Sequence, residues 1–254
     1  MNIDIPIYIA TSNNFLPLLK PFAYLFNKHW SPDQEVNFLG YDLPDFKLPE
    51  NFNFISLGKQ LGVKHWSNDI IKFFNSIDDT HFIYTAEDQF IIDFIDENIL
   101  NNLLKFTEDD NVGKICLNHG AVENSHFNID TIDYFNIIEL NQDADWRNSL
   151  QWSIWNKSYF FKYLKSDMSQ WDFELMSLGN SSPIKNDGVR ILGTSKQFVI
   201  NNCNAVKTAG DVSKFDSKNL NFSSIVSKWS DGSLIDTLDY NIINELTEEG
   251  LLNG

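Results

Sequence analysis

Apolar residues follow two different periods along the first half of the chain. Short apolar, β-branched and aromatic runs at 5–11, 36–41, 52–57 and 81–86 have the length of strands. Helical spacing joins two further sets of residues: Leu18, Leu19, Phe22, Leu25 and Phe26 over 17–30, and Trp66, Ile70, Phe73 or Phe74, and Ile77 over 66–77. Because parallel neighbours need crossover connections, this alternation predicts an α/β fold with a mainly parallel sheet flanked by helices.

Two adjacent carboxylates end the fourth apolar run. The segment 81–86 leads directly into Glu87 and Asp88, which predicts a buried strand that delivers acid groups to its carboxyl end. In open α/β sheets ligands bind at that edge. Hard carboxylate oxygens there suit a divalent cation, which could in turn hold a diphosphate. The alternative is a solvated acidic turn after a core strand.

The second half is less regular and rich in aromatic residues. Strands are predicted at 113–117 and 137–140, followed by aromatic blocks at 146–164 and 169–175. Most of these rings are expected in the core. Ser169 and Asp172 have the spacing of a helix cap, whereas Glu174, between aromatic neighbours, has no such explanation. For the tail after 212, one or two helices with a structural role are expected.

Composition excludes several classes of protein. The chain of 254 residues is 43% hydrophobic and contains no convincing linker, which favours one domain over disorder. Its net charge of -16 disfavours binding to nucleic acid or anionic lipid. Cys116 and Cys203 lack the spacing of a zinc site or a disulfide framework. With no basic region before an apolar stretch and no run of about 18 apolar residues, a cytoplasmic protein is expected.

Glycine-rich phosphate-binding signatures are absent. No G-x-G-x-x-G follows the first strand and no G-x-x-x-x-G-K-[ST] occurs, so the dinucleotide-binding and P-loop interpretations lose their main support. A different nucleotide-binding fold is needed.

Five segments in this order resemble bacterial glycosyltransferases of the GT-A fold. The segments are Trp66-Ser67, 83–90 (IYTAEDQF), 149–155 (SLQWSIW), 171–174 (WDFE) and 204–210 (NAVKTAG). The closer resemblance is to family-2-like enzymes of capsular or lipopolysaccharide glycan assembly, and it covers roughly residues 5–212. It implies a GT-A domain over 1–212, with a nucleotide-binding half at about 1–110 and an acceptor half at about 111–212. Residues 213–254 would form a helical extension that packs on this domain.

The resemblance assigns donor-binding roles position by position. Thr11, Ser12 and Asn13 would contact the nucleoside, and Trp66 with Asp69 would close the nucleotide pocket. Glu87 and Asp88 would match the acidic DxD-type motif and hold Mn²⁺ or Mg²⁺, with Asp88 the principal contact. This chain departs from the pattern at Gln89, where an acid is usual, which puts metal dependence in question. The positive charge for the leaving diphosphate would come from Lys207 or Arg147, and the other interpretation of each is a surface cation.

The same resemblance assigns the acceptor side. Gln151, Trp152, Trp155 and Trp171 would shape the acceptor site, with the indole faces stacked on sugar. Glu174 would be the catalytic base of an inverting transfer, and Asp172 is the alternate base. A carboxylate beside Trp171 and Phe173 would be partly desolvated, which raises its basicity.

The implied reaction moves a sugar from a nucleotide-sugar donor, a UDP- or GDP-sugar, to a glycan or lipid-linked glycan acceptor in surface polysaccharide biosynthesis. The enzyme would act in the cytoplasm or at the periphery of the inner membrane, and a homo-oligomer is one of the open assembly states. Two alternatives stay open. A nucleotidyltransferase would need a basic phosphate-binding loop where this chain has Thr11-Ser12-Asn13-Asn14. A non-catalytic nucleotide- or glycan-binding protein is kept open by Gln89.

Overall fold

A central sheet organises the part of the chain that the computed structural model describes, namely residues 3–118, 125–195, 198–199, 201–203 and 240–251. Its strands are β1 Ile7–Ala10, β2 Val36–Gly40, β3 Phe52–Ser56, β4 His81–Ala86, β6 Val112–Cys116, β7 His126–Ile132, β8 Phe135–Leu140, β9 Ser153–Asn156 and β10 Arg190–Thr194. A separate two-stranded ladder pairs β5 Gln89–Ile91 with β11 Asn201–Cys203. The helices are α1 Leu19–His29, α2 Trp66–Phe74, α3 Glu97–Leu104, α4 Lys157–Tyr163, α5 Gln170–Leu175 and α6 Tyr240–Glu248.

The sheet has the order β3-β2-β1-β4-β9-β6-β10-β8-β7 and is mixed but mainly parallel. β1 pairs in parallel with both β2 and β4, and β2 with β3. β9 runs antiparallel between β4 and β6, while β10 returns to the parallel direction beside β6. The antiparallel β7–β8 hairpin forms one edge. The predicted mainly parallel sheet flanked by helices is confirmed.

Two hydrophobic cores lie on opposite faces of the sheet because successive strand residues point to opposite sides. Ile7 and Ile9 of β1 enter the core that holds α1 and α3. Tyr8 and Ala10 of the same strand enter the core that holds α2, α4 and α5. A strand buried on both faces reads as a continuous apolar run, which explains why β1 and β4 could be predicted from sequence.

The first two predicted helices form, with shifted ends. A 3₁₀ segment, Asn13–Leu18, contains Pro17 and precedes α1, so the regular helix begins only at Leu19. The second helix begins at Trp66 as predicted and ends at Phe74, which leaves Ile77 outside it. Both helices bury one face, with Phe22 and Phe26 of α1 and Ile70 and Phe74 of α2 in contact with the sheet.

The helix at the end of the described chain lies against α1. Leu246 of α6 is fully buried in the core on the α1 side. Tyr24 and Lys28 of α1 both donate hydrogen bonds of 2.6 Å to the Glu245 carboxylate.

Candidate active site

The turns after β1 and β4 meet at the carboxyl edge of the parallel strands. The Glu87 N–H donates to the Ala10 carbonyl at 3.0 Å, which joins the acidic turn to the end of β1. The Thr11 N–H donates to the Leu39 carbonyl at 2.8 Å, which joins the same point to β2. The predicted nucleoside turn and the predicted acidic motif are therefore neighbours.

Asn13 ties this edge to two further loops. Its amide nitrogen donates to the Asp42 carboxylate at 2.7 Å, and its amide oxygen accepts from the Asp42 N–H at 2.9 Å. The Gln60 side-chain oxygen accepts from the Asn13 N–H at 3.1 Å. Thr11 is buried, and its hydroxyl donates to the Ser12 carbonyl at 3.4 Å. Asp42 and Gln60 follow β2 and β3, and the sequence motifs did not identify them.

Trp66 and Asp69 face two tyrosines that the sequence analysis also did not identify. The Trp66 indole N–H donates to the Tyr84 hydroxyl at 3.2 Å, and the Tyr41 hydroxyl donates to Asp69 at 3.0 Å. Trp66 is buried and packs against Phe173 of α5. The pair thus links α2 to the ends of β2 and β4. Its contact with a nucleotide stays a prediction.

Glu87 and Asp88 form a carboxylate pair without a positive partner among the described residues. Burial raises the pKa of Glu87 well above its usual value, and the neighbouring charge of Asp88 adds to the rise. Burial also raises the pKa of Asp88 to about 6, although a hydrogen bond from the Gln89 amide opposes the rise. Neither carboxylate forms an ion pair with a lysine or arginine in the part of the chain that the structure describes.

Gln89 points at the acidic pair and not away from it. Its side-chain nitrogen donates to the Asp88 carboxylate at 3.5 Å, and its side chain is buried. Its backbone carbonyl accepts a 2.9 Å hydrogen bond from the Trp152 indole. The amide therefore contacts Asp88 without adding negative charge to the pair.

Glu174 of α5 acts on one member of this pair, since its charge raises the pKa of Asp88. Glu174 Oε1 accepts the Leu150 N–H at 2.6 Å and the Ser149 hydroxyl at 3.2 Å. Burial raises the pKa of Glu174, while these two hydrogen bonds and the charge of Lys114 oppose the rise. A positioned carboxylate of raised basicity has the properties of a general base.

Asp172, the alternate base, is part of a helix cap. Its carboxylate accepts the Ser169 N–H at 2.9 Å, and its own N–H donates to the Ser169 hydroxyl at 3.1 Å. These bonds form a capping box, and the hydrogen bonds that the Ser169 N–H and hydroxyl donate to the carboxylate lower the pKa of Asp172. A solvated carboxylate of lowered pKa is a poor proton acceptor, so Glu174 is the better candidate.

The structure contradicts the acceptor-stacking roles of Trp152 and Trp155. Both side chains have 0% exposure. Trp152 stacks on Phe22 in one core, and Trp155 packs against Phe160 in the other. Trp155 lies in β9 and Trp152 directly before it, and the chain is buried on both faces of the sheet there. Neither indole face is therefore available to a sugar. Trp171, by contrast, is 44% exposed beside Glu174. Gln151 lies between β6 and β9, where its side-chain oxygen accepts from the Asn118 amide.

The diphosphate-binding role of Arg147 is also wrong. Its side chain has 0% exposure and donates to the Asn141 and Val189 carbonyls at 3.1 and 2.5 Å. It also forms a 3.2 Å ion pair with Asp187. A guanidinium buried and bound in this way stabilises the loop packing and does not reach a ligand, although its Nε has no hydrogen-bond partner among the described residues. Lys207, with its whole segment 204–210, lies outside the described residues.

The carboxylate pair suits a cation that is shared with a ligand. Within the described ranges, no group of three or more His, Cys, Asp or Glu side chains is arranged to hold a metal ion. Mg²⁺ in nucleotide sites is usually held by one or two carboxylates together with substrate phosphates. The uncompensated charge of Glu87 and Asp88 fits that mode, with the diphosphate completing the coordination.

Comparison with known proteins gives weak structural likeness only. No protein-family model and no curated protein matches the chain. A galactosyltransferase LgtC, solved in complex with donor and acceptor sugar analogs, is 13% identical with a TM-score of 0.38, over 76% of this chain and 73% of that one. The mannosyltransferase PcManGT from Pyrobaculum calidifontis, solved with GDP-Man and Mn²⁺, is 11% identical with a TM-score of 0.40, over 95% of this chain and 68% of that one. Likeness at this level does not assign the chain to a family.

The described helices are all too short or too polar to cross a membrane.

Proposed function

We propose that the chain is a GT-A glycosyltransferase that moves a sugar from a nucleotide-sugar donor to a glycan acceptor hydroxyl, with inversion, in surface polysaccharide biosynthesis. The observation that carries the proposal is the position of Glu174, which accepts the Leu150 N–H just before β9, where Ser153 pairs with Tyr84 near the end of β4 and the Glu87-Asp88 turn follows. The charge of Glu174 also raises the pKa of Asp88. A cation-binding pair next to a carboxylate of raised pKa supplies the two functions that such a transfer needs.

The donor would bind across the ends of β1, β2 and β4. Thr11, Ser12 and Asn13 would hold the nucleoside of a UDP- or GDP-sugar, with Trp66 and Asp69 closing the pocket. Asp88 and Glu87 would hold Mn²⁺ or Mg²⁺ with the diphosphate, and the bound cation would neutralise the charge of the leaving group. Lys207 would supply further positive charge to the leaving diphosphate.

Glu174 would remove the proton from the acceptor hydroxyl. The Ser149 hydroxyl and the Leu150 N–H fix one carboxylate oxygen. The other oxygen is then the proton acceptor, and a single displacement at the anomeric carbon inverts its configuration. Trp171 and Gln151 would contact the glycan or lipid-linked glycan acceptor. The proposal places the reaction in the cytoplasm or at the inner-membrane periphery.

A non-catalytic nucleotide-binding protein is the second candidate, and the buried Gln89 amide against Asp88 favours it. An amide in place of an acid weakens cation binding, which would leave donor recognition without transfer.

Thermal unfolding with a panel of UDP- and GDP-sugars, with and without Mn²⁺, tests the proposal, because a ligand that binds only the folded state raises its stability. We expect one donor class to stabilise the protein by about 3–4 kcal/mol at 100 to 1,000 times its Kd. Asp88→Asn should remove the part of this stabilisation that depends on Mn²⁺. The control Asp33→Asn changes an exposed carboxylate at the opposite edge of the sheet and should leave it intact.

Mass spectrometry and NMR of the products then separate the two candidates. Transfer to a glycan acceptor with inverted anomeric configuration supports the enzyme. Donor binding without turnover by any acceptor supports the non-catalytic protein, and no stabilisation by any nucleotide sugar contradicts both.

A further inference from the structure

Lys114 is a buried cation that the donor and acceptor roles above do not use. It lies in the middle of β6 between β9 and β10 and is only 1% exposed. Burying an ammonium group is costly unless hydrogen bonds or opposite charges compensate it. Within the described residues, Lys114 forms no ion pair with a carboxylate. Its placement therefore needs another explanation than a structural salt bridge.

The ammonium binds one side of a single peptide group. Lys114 Nζ donates to the Ser149 carbonyl at 2.5 Å and lies 4.6 Å from the centre of the Trp155 ring. The Ser149 carbonyl and the Leu150 N–H belong to the same peptide plane. That N–H donates to Glu174 Oε1 at 2.6 Å, and the Ser149 hydroxyl reaches the same oxygen at 3.2 Å.

Hydrogen bonds in such a chain polarise one another, because a cation at the carbonyl makes the N–H of the same peptide a stronger donor. Lys114 therefore acts on Glu174 in two ways without touching it. It fixes the orientation of the 149–150 peptide, and it strengthens the bond that holds Oε1. Among the described residues no hydrogen bond reaches Glu174 Oε2, which leaves that oxygen for a ligand.

We propose that Lys114 is a positioning residue for Glu174, which acts through the Ser149-Leu150 peptide and holds the carboxylate in the orientation for proton removal. The inference rests on the proposed role of Glu174 as the base.

The charges around this unit are consistent with that role. Burial lowers the pKa of Lys114, and the negative charge of Glu174 is among the groups that oppose the fall. Cys116, two residues along β6, also opposes the fall in the pKa of Lys114, whereas the charge of Arg147 adds to it. On the side of Glu174, its charge acts on Asp88 and on Tyr84. Lys114 is thus a cation whose charge acts directly on Glu174.

The chain offers a matched control. Lys157 Nζ also donates to a backbone carbonyl at 2.5 Å, that of Ile77, at the start of α4 and away from Glu174. Lys114→Met and Lys157→Met remove the same kind of bond from two places. Lys114→Arg keeps a positive donor near the 149–150 peptide and also serves if Lys114→Met does not fold.

We expect Lys114→Met to lower kcat about 10–100-fold with the donor KM within about 2-fold, since a displaced catalytic group costs rate and not donor binding. Lys114→Arg should restore part of the rate. Lys157→Met should leave kcat within about 2-fold. Amide hydrogen exchange by NMR should show faster exchange of the Leu150 N–H in Lys114→Met alone.

Two results would overturn the proposal: an unchanged Leu150 exchange rate in the Lys114 variants, or equal losses of kcat in Lys114→Met and Lys157→Met. The exchange measurement does not depend on catalysis. If the unmodified protein transfers no sugar, the proposed function fails, while Leu150 exchange still decides whether Lys114 holds the peptide that binds Glu174.

Discussion

Two carboxylates of one short helix have opposite environments. Asp172 is solvated and accepts two hydrogen bonds from Ser169, which lowers its pKa. Glu174, two residues later, points inward, and burial raises its pKa. When environments push the pKa values of neighbouring acids apart, the acid and base roles separate with them. Asp172 thus caps the start of the helix, whereas Glu174 is the candidate site residue.

Replacing Glu174 with Gln should abolish transfer and leave donor binding nearly unchanged. Removal of a positioned general base costs about 10²–10⁴-fold in rate. The amide keeps the size of the side chain and still accepts the Leu150 N–H, so the fold should hold. Single-turnover kinetics with calorimetric donor binding measures both quantities. Retention of most of the rate by Glu174→Gln would place the base elsewhere.

Asp172→Asn is the control for that substitution. The pH dependence of its melting temperature tests the structural role of the Asp172 carboxylate. We expect less than about a 3-fold loss in transfer rate, because no interaction specific to the transition state is removed. The pKa of Asp172 is lowered on folding, so its carboxylate stabilises the protein above the unfolded pKa near 4. This contribution is lost as the pH falls through the lower folded pKa. The melting temperature of Asp172→Asn should therefore fall below that of the unmodified protein at pH 7 and approach it in acid.

Single residues could be assigned from sequence where their type conflicts with their surroundings. Glu87 and Asp88 end an apolar strand, and Glu174 stands among aromatic residues, so each was predicted as a site residue, and these roles stay predictions. The same criterion applied to the apolar run of β6 would have identified Lys114. Trp152 and Arg147 were misassigned because a resemblance in sequence does not report the exposure of a side chain, and both side chains are fully buried.

At the scale of elements, predictability followed burial. β1, β2 and β4 have clear periods because both cores cover them, and α1 and α2 because each buries one face. β7 was not predicted, since all seven of its side chains are at least partly exposed to solvent without an apolar alternation, and β10 was missed as a short strand far from any motif. The insertion of β9 between β4 and β6 depends on pairing between distant segments, which local periods do not encode.

The exposed face of α5 should contribute to acceptor binding. Trp171 and Leu175 are one turn apart on this helix, with exposures of 44% and 52%, and Glu174 lies between them in sequence. Trp171→Ala should raise the acceptor KM about 2–10-fold with the donor KM unchanged, if the ring adds about 0.5–1.5 kcal/mol of contact. Steady-state kinetics with varied acceptor measures this.

Tyr134→Ala is the matched control for Trp171→Ala. Tyr134 is 62% exposed but lies in the turn of the β7–β8 hairpin at one edge of the sheet. Tyr134→Ala should leave the acceptor KM unchanged. Equal effects of the two substitutions would remove the acceptor role from α5.

At the scale of the whole molecule, charge restricts how an anionic donor binds. The net charge is -16, and the only two arginines are committed to ion pairs, Arg147 with Asp187 and Arg190 with Asp109 and Glu139. A nucleoside diphosphate would therefore meet a negative molecule in which arginine is not available. Its phosphates need either a cation held by Glu87 and Asp88 or a lysine. Comparing donor binding with and without Mn²⁺ distinguishes these two sources of positive charge.

The attachment of α6 should contribute to stability and not to chemistry. A helix that follows a parallel strand runs back along the sheet, so Lys28, near the end of α1, lies at the edge opposite Asp88 and Glu174. Leu246→Ala removes a fully buried side chain and should lower the free energy of unfolding by about 2–4 kcal/mol. Glu245→Gln, which loses only a partly exposed ion pair with Lys28, should cost less than about 1 kcal/mol. Urea unfolding measures both values, and kcat of the folded fraction should stay unchanged in each variant. A loss of kcat in Leu246→Ala at full folding would instead couple α6 to the site through α1, whose preceding turn carries Ser12 and Asn13.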